Sequence, residues 1–395
     1  MLPLRGMRVI AIEQYGAGPY GTMQLADLGA EVIKIENPSE GGDMSRRVGP
    51  FFLGPDDSHF FESFNRNKKS VTLDLKREGA RDVLHALVTR ADAVLDNLRG
   101  DLPQTLGLTY DALKVANPRV VCAHLSAYGR TGSRANWPGY DYLMQAEAGY
   151  LSLTGEPNGP PSRMGLSIVD MMTGLFAAFA LLSGIVAARE TGMGRDIDVN
   201  LFDCALQNLS YLATWYLNES YEHRRETRSS HPSLTPSQLY RTRDGYIFVM
   251  CNKEKFWPIL CDLIGRPDLA NDPRFRTFKE RLANRDEVTA TLDAALEGRT
   301  TAEWLEHFAG RVPAAPVNDI ASALNNPFVL EQGGIWNVPH PTRRDFKMLA
   351  APVRCPGEEP LKRPAPRLGQ DTDAILLNCG FSQERIEGLR RVGVI

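Results

Sequence analysis

The segment Arg163-Met164-Gly165-Leu166-Ser167-Ile168-Val169-Asp170-Met171-Met172-Thr173-Gly174 places an acid at the mouth of a long apolar run. An aspartate there can serve one of two purposes. It can cap a helix, accepting from backbone N–H groups that the first turn leaves unpaired. Or, ionised at neutral pH and held near the positive end of the helix dipole, it can act as a carboxylate nucleophile. Spacing leaves both readings open. Other catalytic signatures are missing: Gly165-Leu166-Ser167-Ile168-Val169 lacks the second glycine of a nucleophile elbow, and there is no HExxH and no P-loop. Serine hydrolase, zinc protease and kinase readings lose their support. The seven histidines are dispersed and take no role.

A second candidate is Gly16-Ala17-Gly18-Pro19-Tyr20-Gly21, which follows a strand-like run, opens a helical one and is trailed by Glu36. That context belongs to dinucleotide-binding turns. Closely spaced glycines before a helix bring N–H groups to an anion, whichever nucleotide carries it. Pro19 removes one of those donors. NAD or FAD, another nucleotide, and plain turn geometry are all compatible with the motif.

The elements that must position these residues follow from hydrophobic periodicity. Arg8–Ile12, Glu31–Ile35, Ser70–Leu75, Ala93–Leu95 and Arg119–Ala123 read as buried strands, with helical spacing over Tyr20–Leu28 and Gly79–Arg90 between them. Strands alternating with helices predict an α/β fold, a Rossmann-like large domain around a parallel sheet. Another strand at Asp196–Val199 and a helix from Leu201 extend it. A Gly-, Pro- and Tyr-rich loop, Pro138–Pro161, leads to Asp170. Downstream, Leu239–Met250 reads as a hairpin about Asp244-Gly245, and helices over Phe256–Ile264, Asp286–Leu296 and from Ala302, capped by Thr301, complete a smaller α+β domain. The expected division is 1–220 for the large domain, 221–326 for the small one, and 327–395 for an extended return segment and the end of the large domain.

Bulk properties set the outer limits. Of 395 residues, 43% are hydrophobic and 24% charged, the composition of a globular protein. A net charge of -3, from 45 basic and 48 acidic residues, gives no broad attraction for nucleic acid or an anionic membrane. The six cysteines form no CxxC pair and have no histidine at metal-ligand spacing, so they read as reduced thiols and no metal is expected. The N-terminal residues lack the apolar length of a signal peptide, which predicts a cytoplasmic location. The run Gly174–Ala188 falls short of the roughly 20 apolar residues of a membrane span and reads as a core helix.

The stretch PSRMGLSIVDMMTGLFAAFALLSGIVAARETGMGRDIDVNLFDCAL, containing Asp170, resembles the signature segment of the family III CoA-transferases, also called the CaiB/BaiF family. Further resemblance lies in Gly29-Ala30-Glu31-Val32-Ile33-Lys34-Ile35-Glu36, Asn67-Lys68-Lys69-Ser70, Ala116-Asn117-Pro118-Arg119, Val312-Pro313-Ala314-Ala315-Pro316-Val317-Asn318 and Leu368-Gly369-Gln370-Asp371-Thr372. It implies that Asp170 attacks an acyl-CoA thioester to give a mixed anhydride, that CoA thiolate then forms an aspartyl-CoA thioester, and that an acceptor carboxylate reverses these steps. It also implies CoA, not NAD, across the glycine motif: Tyr15, Gly16 and Ala17 by the pantetheine arm, Leu73, Lys76, Asn97, Leu98 and Arg99 by the nucleotide, and Tyr140 by the thioester. No cofactor is permanently bound in this reading; coenzyme A and acyl-CoA are substrates, with succinyl-CoA the expected donor and small carboxylic acids, dicarboxylates first, the acceptors, and the protein an interlocked homodimer.

Two departures refine the expectation. Formyl-CoA transferases carry a tetraglycine loop where this chain has Ser230-His231-Pro232-Ser233, which argues against the oxalate/formate pair. The related α-methylacyl-CoA racemases resemble Gly-His-Asp where this chain has Gly139-Tyr140-Asp141, and tyrosine is a poor base at neutral pH. Racemase-like isomerisation, NAD-dependent oxidoreduction and acyl-CoA binding without catalysis stand as the alternatives.

Overall fold

A computed structural model describes residues 1–395. The chain forms two compact units, one of residues 1–148, 164–210 and 330–395, the other of residues 149–163 and 211–329.

The first unit is built on six parallel strands: β1 (Arg8–Ile12), β2 (Glu31–Glu36), β3 (Lys69–Thr72), β4 (Ala93–Asp96), β5 (Val121–Ser126) and β6 (Arg195–Asn200). Their spatial order is β3-β2-β1-β4-β5-β6. This is the doubly wound order, whose connections reverse direction between β1 and β4 and open a crevice at the carboxyl ends of those strands. The inner strands are mostly apolar because both faces are covered. At the edge, β3 is paired from the far end of the chain: Ser70 N–H donates to Asp371 Oδ2 (2.9 Å) and Thr72 N–H to Thr372 Oγ1 (3.0 Å). His124 on β5 lies buried between Asp96 (2.6 Å) and Asp196 (3.0 Å); burial opposes its charge, but the two carboxylates outweigh it and raise its pKa to about 9.

The helices of this unit include α1 (Ala17–Asp27), α2 (His59–Asn65), α3 (Ala80–Val88), α4 (Asp141–Glu147), α5 (Ile168–Thr191) and α6 (Leu201–Gln207). At 24 residues α5 exceeds the expected apolar run, since its polar ends are helical too, and by length and composition alone it could cross a membrane. One face of it is buried in this unit. Val169, Thr173, Ala177, Leu181, Ile185 and Ala188 recur at helical spacing and are buried, and Gly192 ends the helix in a left-handed conformation (φ 75°).

The contact of α1 with α5 is made backbone to backbone. A Cβ on Gly21 would lie 2.3 Å from the Gly174 carbonyl oxygen, and one on Gly174 would lie 2.3 Å from that of Ala17. Neither position has room for a side chain.

In the second unit, strands Ser237–Thr242 and Gly245–Met250 form the expected hairpin, and Ala314–Pro316 adds to it antiparallel. Helices Phe256–Leu263, Arg285–Leu296 and Thr301–Phe308 pack on it through Trp257, Leu260, Leu292 and Phe308. The cap of the last helix is Thr300 and not Thr301: Thr300 and Glu303 form a capping box, while Thr301 N–H donates to Asp244 (2.8 Å). Residues 149–163 join this unit, where Arg225 donates to the Pro160 carbonyl (2.8 Å) and Arg228 N–H to Glu156 (2.9 Å). These bonds tie the loop to the second unit.

Replacing Gly21 with alanine is expected to cost about 1–3 kcal/mol, because the methyl group meets backbone that cannot step aside. Urea unfolding of G21A beside wild type measures this, and an unchanged midpoint would show that the crossing tolerates a side chain.

Candidate active site

The crevice at the carboxyl ends of β1 and β4 is a cavity of about 180 Å³. Tyr15, Gly16 and Ala17 line one side, Asn97, Leu98 and Arg99 another, with Tyr140 and Asp170 completing it. Eight of the ten residues singled out in the sequence meet here. Leu73 and Lys76 do not: Leu73 is 1% exposed within the hydrophobic core, and Lys76 lies on the surface 3.8 Å from Glu40.

The loop after β1 is held by polar contacts from its neighbours. Asn97 pairs with the Gln14 backbone in both directions, accepting from its N–H (2.9 Å) and donating to its carbonyl (2.7 Å). Tyr15, in a left-handed conformation (φ 63°), donates its N–H to Asp43 (3.1 Å). Gly16 then passes directly under the carboxylate of Asp170, where a Cβ would sit 2.7 Å from Oδ2. The glycine motif therefore has three separate uses. Gly16 admits the carboxylate, Gly18 lies against Asn97 and Glu13 where a Cβ would be 3.0 Å from each, and Gly21 admits α5.

Asp170 is not the cap of its helix. The N-cap is Ser167, which makes no side-chain capping bond, and the N–H of Asp170 donates to Asp141 Oδ2 (3.0 Å) from α4. A carboxylate of another helix thus fills the capping role and leaves that of Asp170 facing the cavity. Gln145, fully buried one turn after Asp141, donates to Asp141 Oδ1 (2.6 Å) and to the Leu166 carbonyl (3.0 Å), and accepts from Met164 N–H (2.9 Å). The sequence reading missed Asp141 and Gln145 as positioning groups. Their i, i+4 spacing behind the helix-initiating Tyr140 is the signal that could have marked them.

The ionisation of Asp170 also differs from expectation. Burial pushes its pKa up, the nearby Asp141 carboxylate pushes it further, and it reaches about 7. A helix terminus contributes about 0.3–1 kcal/mol, less than the 1.36 kcal/mol equivalent of one pKa unit. Desolvation moves buried carboxyls by several times that, so burial wins.

A doubly wound α/β enzyme with an acid at its switch-point crevice is the class that fold and site define. The model of CoA-transferase family III matches residues 4–372. Acetyl-CoA:oxalate CoA-transferase of Acetobacter aceti is 37% identical over 94% of this chain and 95% of its own length. Human succinyl-CoA:glutarate CoA-transferase is 33% identical over 100% of this chain and 90% of its own. The crystal structure of a CaiB/BaiF family protein from Brucella suis superimposes with a TM-score of 0.82 at 32% identity, covering 95% of this chain and 99% of the other. The chain belongs to CoA-transferase family III and is an enzyme of that class, so the nicotinamide reading of its glycine motif does not hold.

If Asp170 must be ionised to react, kcat/KM for acyl-CoA rises with pH through a midpoint near 7. Asp141→Asn removes the like charge and moves that midpoint to lower pH. A pH–rate profile of both proteins checks this, and a midpoint that stays in place would remove Asp141 from the electrostatics.

Proposed function

We propose that this enzyme transfers CoA between an acyl-CoA donor and a small carboxylic acid through covalent intermediates on Asp170. The observation that carries the reading is the state of that carboxylate. It lines the crevice against a glycine, is desolvated, and accepts no hydrogen bond that would offset its burial. A structural aspartate is normally satisfied by donors; a nucleophile needs its lone pairs uncommitted. Attack on the thioester carbonyl gives an acyl-aspartyl anhydride and CoA thiolate, which re-attacks the aspartyl carbon and expels the donor acid. The acceptor acid then runs the sequence in reverse. Each step develops charge on a carbonyl oxygen, and the first-turn N–H groups of α1, directly after Gly16, supply donors of the kind required.

A cavity of about 180 Å³ is below the 300–1,000 Å³ of sites that enclose a drug-sized ligand. It suits the thioester and a small acid, with the nucleotide of CoA lying outside. Tyr15, Gly16, Ala17 and Tyr140 then contact the pantetheine end, and Asn97, Leu98 and Arg99 the approach to the nucleotide. Arg99 is exposed and paired with Asp101 (2.6 Å), a bond a phosphate can displace. Lys76 offers a flexible surface charge, and Leu73 only its backbone. Succinyl-CoA as donor and a dicarboxylate as acceptor are supported by the names of the relatives, and the acetobacterial one puts oxalate on the acceptor panel despite Ser230-His231-Pro232-Ser233.

Interlocked dimerisation belongs to the same proposal, supported by the exposed Phe176, Phe179 and Val186 on the outer face of α5. A monomer by light scattering would contradict it. A cytoplasmic setting agrees with six free cysteines.

Incubation with succinyl-CoA followed by hydroxylamine or borohydride is expected to mark Asp170 in mass spectrometry. Asp170→Ala should lose exchange by at least a thousandfold, of the order seen on removing a covalent nucleophile, while still binding CoA. Turnover retained in the variant, or no adduct across a panel of acyl-CoA donors, would sink the mechanism.

A further inference from the structure

Three side chains that the transfer chemistry does not use converge from distant parts of the chain. Asp57 belongs to the short strand Asp57–Ser58, Glu62 to the first turn of α2, and His340 to the return segment. His340 Nε2 lies 3.1 Å from Asp57 Oδ2 and 3.3 Å from Glu62 Oε1, and donor atoms of all three fall within 4.8 Å of one another. Glu62 is 0% exposed and His340 6%. Glu62 Oε2 accepts from Ala365 N–H (2.9 Å), but Oε1 is buried without a hydrogen bond and faces the imidazole; Asp57 Oδ1 is likewise buried and unpartnered.

The surroundings fix how the imidazole is used. The Thr342 hydroxyl donates to the Leu53 carbonyl at 2.8 Å, so it turns a lone pair toward His340 Nδ1, 3.1 Å away. The Thr342 N–H donates to that nitrogen at 3.3 Å, so Nδ1 is an acceptor. The ring proton therefore sits on Nε2, facing Asp57 Oδ2 (3.1 Å); a metal ion at Nε2 takes its place and moves it to Nδ1, where the Thr342 hydroxyl oxygen is placed to accept it. Two carboxylates gathered away from water, with Glu62 Oε1 and Asp57 Oδ1 unpartnered, need a proton or a cation between them. The neighbouring Arg46 is already committed, with two bonds to Glu36 (2.8 and 2.6 Å) and one to the Asp56 carbonyl (3.1 Å).

We propose that Asp57, Glu62 and His340 bind one divalent cation of the zinc type, which staples α2 and its preceding hairpin to the return segment. A tetrahedral ion roughly 2.0–2.1 Å from its ligands holds them about 3.4 Å apart, close to the 3.1 and 3.3 Å found here. The mixed oxygen and nitrogen set suits Zn²⁺ or Mn²⁺ above soft metals. Asp57, the least buried of the three, leaves a side on which water can complete the shell.

The test uses full-length protein stripped with a chelator and titrated with Zn²⁺ by calorimetry, with metal content read by mass spectrometry. One ion per chain is expected. Glu62→Gln and His340→Gln should each weaken binding at least tenfold, and Thr342→Val less, through the loosened imidazole. Substituted Co²⁺ should show visible d–d bands without a thiolate charge-transfer band. Circular dichroism confirms that the variants fold, and Asp57→Asn replaces any that does not. Absence of binding, equal binding by wild type and the variants, or a thiolate band assigning the metal to cysteine would each overturn the proposal.

Discussion

The site depends on how closely α1 and α5 approach. Helices packed through ordinary side chains keep their axes about 8–10 Å apart. Here Gly21 and Gly174 bring carbonyl oxygen and Cα into contact, with room for no other residue. Because α1 begins at Ala17, that contact draws the loop before it under the first turn of α5, and Gly16 meets the Asp170 carboxylate. A single methyl group at the crossing acts on the surroundings of Asp170 as well as on packing. The glycine spacing that elsewhere serves a pyrophosphate is used here to seat a carboxylate and a helix.

Seating the acid so tightly determines its chemistry. The first turn of a 24-residue helix favours negative charge, yet α5 cannot hold Asp170 at the acidity of an exposed carboxyl, since burial costs more than the dipole returns. The outcome is an acid more basic than the free carboxylates it would exchange with. Basicity strengthens a nucleophile, and one that is half protonated near neutrality is still abundantly available as the anion. In the proposed mechanism Asp141 therefore acts twice. It fixes the backbone of Asp170 through one oxygen and raises its basicity through its charge.

Much of this architecture was legible in the sequence, for identifiable reasons. Strands β1, β2, β4 and β5 are buried on both faces and so appear as mostly apolar runs, interrupted at Lys34 and His124, and the Asp-Gly turn fixes its hairpin. The position of Asp170 beside Tyr15, Gly16 and Tyr140 came only with the family resemblance, since no periodicity joins residues on separate strands. The ionisation of Asp170 was hidden because helix position can be read from sequence but burial cannot. Asp141 was visible as a residue and not as a cap, because it caps a helix other than its own. His340 and Glu62 share no spacing at all. Several matched motifs hold the interior together: Ser70 and Thr72 pair with Asp371 and Thr372, and Lys68 bonds Glu13 at 2.7 Å.

That last bond belongs to a buried network whose purpose is geometric. Lys68 and Lys34 both reach Glu13, Lys68 through the carboxylate and Lys34 through the carbonyl (2.8 Å), and Lys34 also pairs with Asp43 at 2.8 Å. None of these side chains is stabilising merely by being charged. Replacing a buried ion pair with apolar groups is often neutral or favourable, and burial pushes the Lys68 ammonium down to about 8 despite Glu13. What the network supplies is a fixed acceptor for one N–H. Asp43 takes the amide of Tyr15, a bulky residue in the left-handed region, a conformation that costs about 1–3 kcal/mol and persists only where several contacts require it. Asn97 holds the preceding residue from the other side. Without Asp43 the chain at Tyr15 would relax toward an extended path and carry Gly16 away from Asp170. The buried lysines and acids thus set where the Asp170 carboxylate finds its floor.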